Sequence, residues 1–403
     1  MLIGGRGGSA GGRSGHVLHY GYVDRVKVSF VSSHAQLGGS EKVLENILAG
    51  VDPSWIHDIV SLQDGPFVER FERYGATALL HTRGNKTSIL RNSLRLRRRL
   101  RKTRPDLVHA NGLKAALMAV VATLGTETPI LWLKTDTSFE GRIARAVASR
   151  CGMVVGNSRA VVETIDHLPN VEVSYPGVEP PAPLPSGART SLLSELGIDE
   201  HAQLVVLAGR LHRTKGHSEL LEALPEVLVA HPEALALLVG PVDPSQPSYS
   251  EELRKRAGEL EVEDRVLFLG HRDDVREVIA VSDVLVVPSI VDDRGTGKEG
   301  FGLVAVEALL AGTPVVAYAH GSLPEVLGDA GLLVAPGDRS GLAQAVNRLL
   351  SDPSLRSRLT AAGKERGRGF SLERFVADMQ QYYRRVAATA ASKRRNAHGA
   401  SMM

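Results

Sequence analysis

Two carboxylates, Glu299 and Glu307, bracket the stretch of this sequence best suited to hold a ligand: Glu299-Gly300-Phe301-Gly302-Leu303-Val304-Ala305-Val306-Glu307-Ala308-Leu309-Leu310-Ala311-Gly312. It reads as a loop, then a helix over Gly302–Ala311 closed by Gly312. Gly300 and Gly302 let backbone approach a ligand, and the free amides at the helix start form an anion site. Glu307 lies about one and a half turns inside an apolar helix, where a carboxylate needs a partner. Ligand hydroxyls and a nearby arginine both satisfy that need. A second stretch, Gly209-Arg210-Leu211-His212-Arg213-Thr214-Lys215-Gly216, puts two cations five residues apart. They could converge on a diphosphate, the arginine as a fork and the lysine as a point charge, or simply be solvated. A third, His34-Ala35-Gln36-Leu37-Gly38-Gly39-Ser40-Glu41, offers a tight Gly38-Gly39 turn beneath a phosphate or sugar, with Ser40 as N-cap. A purely structural turn is the alternative.

All three stretches fall at strand-to-helix junctions. Short β-branched runs at 26–32, 58–62, 77–80, 106–110, 130–133 and 153–156 alternate with helical patterns, the signature of a parallel, doubly wound sheet. Five prolines between Tyr175 and Ser186 forbid a continuous helix and mark a linker. The alternation then restarts with strands near 203–208, 234–239, 265–269, 283–287, 314–317 and 331–334. We therefore expect an α/β protein with two Rossmann-like sheets. Residues 16–178 and 179–371 would form the domains, a helix over 372–390 would return to the first, and 1–15 and 391–403 would be flexible tails. Such sheets bind ligands outside the carboxyl ends of their strands, which places all three stretches along an inter-domain cleft.

With 403 residues, 43% hydrophobic and 23% charged, the chain has material for two cores. The single cysteine, Cys151, excludes an intramolecular disulfide framework and suits a reducing, cytoplasmic compartment. No apolar run is long enough to span a membrane, and no apolar stretch follows the arginines of Met1–Gly15 as a signal peptide requires. The net charge of +3 hides an asymmetry: 23 Lys and Arg face 16 Asp and Glu in residues 1–180, against 25 and 29 in the rest. Arg91, Arg95, Arg97, Arg98, Arg99, Arg101, Lys102 and Arg104 carry much of the excess. With Leu90, Leu94, Leu96 and Leu100 interleaved, they read as a helix with one apolar stripe and a basic face. That face is either solvated or a peripheral contact with an anionic membrane, the inner face for a cytoplasmic protein. Nucleic acid fits poorly, because 4% aromatics offer few stacking platforms.

Taken together, these stretches resemble a family-4 retaining glycosyltransferase of the GT-B fold, in the expected order over about residues 26–390. Besides Glu299 to Glu307, the resemblance rests on Gly321-Ser322-Leu323-Pro324-Glu325, on Gly209-Arg210…Lys215-Gly216 and on Asp283-Val284-Leu285-Val286-Val287-Pro288-Ser289. It implies a nucleotide-diphosphate sugar as co-substrate, UDP-linked by preference, and no metal cofactor. Arg210 and Lys215 would hold the diphosphate, Glu307 the ribose and Glu299 the transferred sugar. Amides around Phe301, Gly302 and Leu303 would contact sugar and phosphate, backbone near Arg272 the base, and Gly38 and Gly39 the phosphates. It also implies a front-face route with Arg210, Lys215 and Glu299 as the catalytic set.

The sequence departs from the family's pattern in two places. Val108-His109-Ala110-Asn111 places asparagine where a second histidine is usual, and the loop Lys134-Thr135-Asp136-Thr137 also lacks its histidine. His34, Asn111, Asp136 and His320 are thus the candidate sugar or acceptor contacts. Asp273 is read as a helix cap and Asp292-Asp293 as loop decoration, not as metal ligands. A sugar-nucleotide epimerase and a non-catalytic sugar-nucleotide-binding protein are the competing functions.

Overall fold

A computed structural model describes residues 25–137, 141–292 and 297–400. The amino-terminal tail assigned to 1–15 and Asp293 lie outside those residues.

The first domain is a seven-stranded parallel sheet of order β3-β2-β1-β4-β5-β6-β7. Its strands are β1 (Val28–Ser32), β2 (Ile56–Ser61), β3 (Thr77–Leu79), β4 (Leu107–Asn111), β5 (Ile130–Lys134), β6 (Met153–Gly156) and β7 (Val171–Val173). The second is six-stranded, also parallel, of order β10-β9-β8-β11-β12-β13. It comprises β8 (Gln203–Ala208), β9 (Ala234–Val239), β10 (Val266–Gly270), β11 (Val284–Val287), β12 (Val315–Tyr318) and β13 (Leu332–Val334). Central strands such as β1, β4, β5 and β9 are buried along their whole length, as helices on both faces require. The periodicity missed β7, a three-residue edge strand of half-buried Val-Glu-Val too short to show alternation.

Each sheet reverses its winding once, between β1 and β4 and between β8 and β11. Loops leaving such neighbours part in opposite directions and open a crevice at the carboxyl edge. The loops after β1, β8 and β11 carry the Gly38-Gly39, Arg210/Lys215 and Glu299 stretches respectively.

The last helix, Leu372–Ala400, returns to the first domain and buries Phe375, Met379, Tyr383 and Val386 against it. Their three- and four-residue spacing keeps them on one face. The Tyr383 hydroxyl lies 2.8 Å from Nδ1 of His109, and burial pushes that imidazole down to about 3. The helix does not stop at 390 as expected. Ala, Lys and Arg are good helix formers, and Arg394 pairs with Glu127 at 3.0 Å, so it runs to Ala400.

The basic helix, Lys86–Thr103, corrects the single apolar stripe. Leu96 and Leu100 are buried, whereas Leu90 is 57% and Leu94 49% exposed. At about 100° per residue the two pairs are turned roughly 120° apart, onto different faces. Asn92 and Ser93 complete the inner face, and Arg91, Arg98, Arg101 and Lys102 surround the outward leucines.

The domains meet on the side where the linker passes. The Val178 amide donates to the Phe370 carbonyl at 2.9 Å, and Tyr175 stacks on Phe301. Glu325, the last residue of the Gly-Ser-Leu-Pro-Glu segment, accepts from the amides of Arg159 and Ala160, each at 3.1 Å, and from the Tyr175 hydroxyl at 3.1 Å. That carboxylate caps a first-domain helix from the second domain.

Candidate active site

The crevice between the sheets holds a cavity of about 690 Å³, large enough for a nucleotide sugar. His34, Gly38, Gly39 and Asp136 line it from the first domain, and Arg210, Lys215, Arg272, Glu299, Phe301, Gly302, Leu303 and Glu307 from the second. Asn111 and His320 do not. Asn111 is buried at the end of β4, where its side-chain amide donates to the Ser40 carbonyl at 3.1 Å and ties down the Gly38-Gly39 loop. His320 lines a separate pocket with Glu219 and Arg339.

Glu299 is the best-defined group. Its Oε2 accepts from Lys215 Nζ at 2.8 Å and from the Ser289 hydroxyl at 3.0 Å. Burial acts to raise this carboxyl, but the adjacent ammonium and the two hydrogen bonds outweigh it and hold it below its usual range. Gly302 follows with φ of +79°, a left-handed turn that starts the Leu303–Ala311 helix with its free amides toward the cavity. At Gly300 a β-carbon would sit 2.3 Å from the Thr135 carbonyl, so glycine permits the two domains to touch there. The Ser158 hydroxyl completes that contact, donating to the Gly300 carbonyl at 2.6 Å.

The cations are placed as the spacing suggested, each held by a carboxylate. Arg210 Nη1 donates to Asp243 Oδ2 at 2.6 Å. The Arg272 guanidinium is taken by Asp274 at 2.6 and 2.7 Å and by Glu195 at 2.7 and 3.2 Å, so its backbone is what remains for a ligand. Glu307 faces the cavity with Arg276 Nε at 3.9 Å, beyond hydrogen-bond reach. Burial therefore raises the Glu307 carboxyl, and Arg276 and Lys42 only partly oppose it. Both readings of Glu307 survive in part: an arginine is near, and among the described residues no donor hydrogen-bonds the carboxylate.

Two expected caps are absent. Ser40 donates to Glu41 Oε1 at 2.9 Å, and Gly38 stands at the cap position of the Gly39–Gly50 helix. Asp274 occupies the cap position of Val275–Val281, and Asp273 faces His271 at 3.4 Å. Among the described residues, no three His, Cys, Asp or Glu side chains gather as a metal site requires.

The model of glycosyltransferase family 4 matches residues 37–180, and that of glycosyl transferases group 1 matches residues 189–366. The chain belongs to the family-4 glycosyltransferases. It is 35% identical to a D-inositol 3-phosphate glycosyltransferase of Xylanimonas cellulosilytica, over 54% of this chain and 51% of that protein. A phosphatidyl-myo-inositol mannosyltransferase of Mycobacterium leprae is 36% identical over 51% of this chain and 54% of its own length. The chain spans about half the length of these curated relatives. Among solved structures, the Anabaena protein HepE in complex with UDP and glucose matches with a TM-score of 0.78 at 23% identity, covering 89% of this chain and 99% of that one. This likeness shows the fold, two Rossmann-like domains facing across a cleft.

The chain brings two further carboxylates to the site. Glu41 lines the cavity and is almost fully buried, with burial raising its carboxyl against the opposing effect of the Ser40 hydrogen bond. Asp243, which grips Arg210, lies on the loop after β9. Glu41 ends the Gly38-Gly39 stretch, whereas Asp243 sits in no glycine-rich or basic run, so spacing offered no signal for it.

Proposed function

We propose that the protein is a retaining hexosyltransferase that moves a sugar from a nucleoside-diphosphate donor, UDP-linked by preference, to an acceptor hydroxyl without a metal ion. The observation that carries this reading is the Lys215–Glu299 pair beside Arg210 and the amides of the Leu303–Ala311 helix, all on one cavity. Arg210 and Lys215 would neutralise the charge that develops on the leaving diphosphate, the service a divalent cation performs elsewhere. Glu299 would hold the sugar's hydroxyls, Glu307 the ribose, and backbone near Arg272 the base. Phe301, Gly302 and Leu303 would present amides, and Gly38 and Gly39 would meet the phosphates from the other domain.

The anomeric carbon–oxygen bond to phosphate breaks, the bond to the acceptor oxygen forms on the same face, and the acceptor proton passes to the leaving phosphate oxygen. A double displacement would instead need a free carboxylate nucleophile about 5 Å from an acid/base. Glu299, fastened by Lys215 and Ser289, is better suited to holding a hydroxyl. His34 and Asp136 remain candidates for contacting the acceptor.

The acceptor would be anionic or presented at a membrane surface. No helix among the described residues is long and apolar enough to cross a membrane. Supporting a peripheral contact, Leu90 and Leu94 stand exposed among Arg91, Arg98, Arg101 and Lys102. The names of the two relatives, which refer to inositol phosphate and phosphatidylinositol, agree with an anionic acceptor.

The test is protection from thermal unfolding by UDP-, GDP- and ADP-sugars, followed by transfer to a panel of hydroxyl acceptors and determination of the product's anomeric configuration. Protection with α-linked product from an α-linked donor supports the reading. An inverted product overturns the mechanism, and turnover of donor to an isomerised sugar nucleotide overturns the function.

A further inference from the structure

The loop that leaves β9, Gly240–Ser248, runs alongside the Gly209–Gly216 loop and is fastened to it at several points. The Leu211 amide donates to the Pro241 carbonyl at 2.8 Å, and the Asp243 amide donates to the Leu211 carbonyl at 3.3 Å. Gln246 takes the Arg213 amide on its Oε1 at 2.9 Å and brings its Nε2 to 3.1 Å from His212 Nε2. At the centre of this contact lies Asp243, only 5% exposed. Its Oδ1 accepts from the amide of Ser245 at 2.9 Å and from the Ser245 hydroxyl at 2.6 Å, which fixes the plane of the carboxylate. Its Oδ2 is thereby turned to Arg210 Nη1 at 2.6 Å.

We infer that Asp243 is a positioning residue for the donor's diphosphate: it locks the Arg210 guanidinium with its remaining N–H groups presented to the cleft. The inference rests on the reading of Arg210 as a diphosphate ligand. An arginine side chain left free must surrender several rotatable bonds when it grips a phosphate, and one already fastened surrenders fewer. The Asp243 contact engages a single terminal nitrogen, so the guanidinium keeps other donors for a forked grip on phosphate oxygens. A carboxylate acting only as a counter-charge would have the opposite consequence, because it would weaken the attraction for an anion. The two roles differ in sign.

The experiment uses the full chain with UDP and GDP as probes, read by calorimetry, and donor turnover read as kcat and KM. Asp243→Asn should weaken binding of the protecting nucleotide about fivefold or more and raise the donor KM, with the acceptor KM unchanged. Asp243→Glu should recover part of the loss. Ser245→Ala, which removes one of the two bonds that orient the carboxylate, should weaken binding by about twofold and serves should Asp243→Asn fail to fold. Arg210→Ala/Asp243→Asn should bind no worse than Arg210→Ala alone, whereas a merely structural Asp243 would make the losses multiply. Unchanged or tighter binding by Asp243→Asn, or multiplying losses in the double variant, would overturn the inference while leaving the diphosphate reading intact. Wild-type nucleotide affinity in Arg210→Ala would overturn that reading and this inference with it.

Discussion

Replacing Lys215 with alanine tests the centre of the argument, because two opposite charges depend on one contact. At 2.8 Å the Lys215–Glu299 attraction is about 6 kcal/mol in surroundings of effective dielectric about 20. Much of that is offset by the cost of drying both groups. Removing the lysine leaves Glu299, whose side chain is 12% exposed, with only the Ser289 hydroxyl among the described residues. Losing one partner of a fully buried pair costs about 3–5 kcal/mol, and Lys215 keeps 34% of its side-chain exposure, so about 2 kcal/mol is the expected destabilisation. In a domain of this size that lowers Tm by roughly 4–8 °C. Transfer should fall more than stability implies. On the proposed function the ammonium would also face the diphosphate, and a single charge-stabilising donor is worth about 10²–10³ in rate at its best, with tenfold, or ~1.4 kcal/mol, as the least effect compatible with the proposal.

The pH dependence has a defined sign. In the native protein the Glu299 carboxyl is held below its usual range, so the stability it contributes is present above that range and is lost as pH falls through the lowered value. Without Lys215 burial dominates, the carboxyl rises, and the acid limb of the kcat/KM profile moves to higher pH. Steady-state transfer across pH, beside thermal unfolding of the same samples, reads all of this. Near-normal kcat/KM with an unmoved acid limb would sink the assignment of Lys215 and Glu299 to the donor.

Other expectations can be checked separately. Prolonged treatment with chelator should leave transfer intact, and restoration by added divalent cation of an activity lost on chelation would contradict a metal-free route. Leu90→Gln/Leu94→Gln should abolish co-sedimentation with vesicles containing anionic phospholipid, and Arg91→Glu/Arg98→Glu/Arg101→Glu should do the same. Equal sedimentation of all forms would remove this helix from any membrane role. His109 stays neutral down to about pH 3 in the fold, while an unfolded histidine protonates near 6.5, so stability should fall on acidification by about 1.4 kcal/mol per pH unit between those values. His109→Gln should flatten that slope in urea unfolding between pH 6.5 and 4.5, and an unaltered slope would assign the proton uptake elsewhere.

Much of this architecture is legible in the sequence, because the signals concerned are local. Alternating β-branched runs and helical periods depend on neighbouring residues, and they located twelve of the thirteen strands among the described residues. A glycine or cation placed just after a strand lands at the carboxyl edge of a parallel sheet, wherever the rest of the chain goes. Spacing accordingly singled out the stretches that hold Arg210, Lys215, Glu299 and Gly302, all of which line the cavity. Asn111 could not be placed that way. Its position at the end of β4 suggests the cleft, yet its direction depends on the Ser40 carbonyl, 71 residues earlier.

The same limit applies to each correction. The basic helix carries its leucines on two faces, and a helical projection separates the pairs, but only the neighbouring layer decides which pair is inside. Glu307 needed a partner on any reading, and Arg276 and the cavity share it only because two distant segments meet there. The hydrogen bonds of Glu325 across the domains and of Asp243 to Arg210 are likewise long-range. The sequence by itself determined the sheets, their carboxyl-edge loops and the chemical character of those loops, since these follow from residues a few positions apart. Tertiary structure alone decided which carboxylate holds which cation, because hydrogen bonds act over about 3 Å and their partners come from segments that only folding brings together.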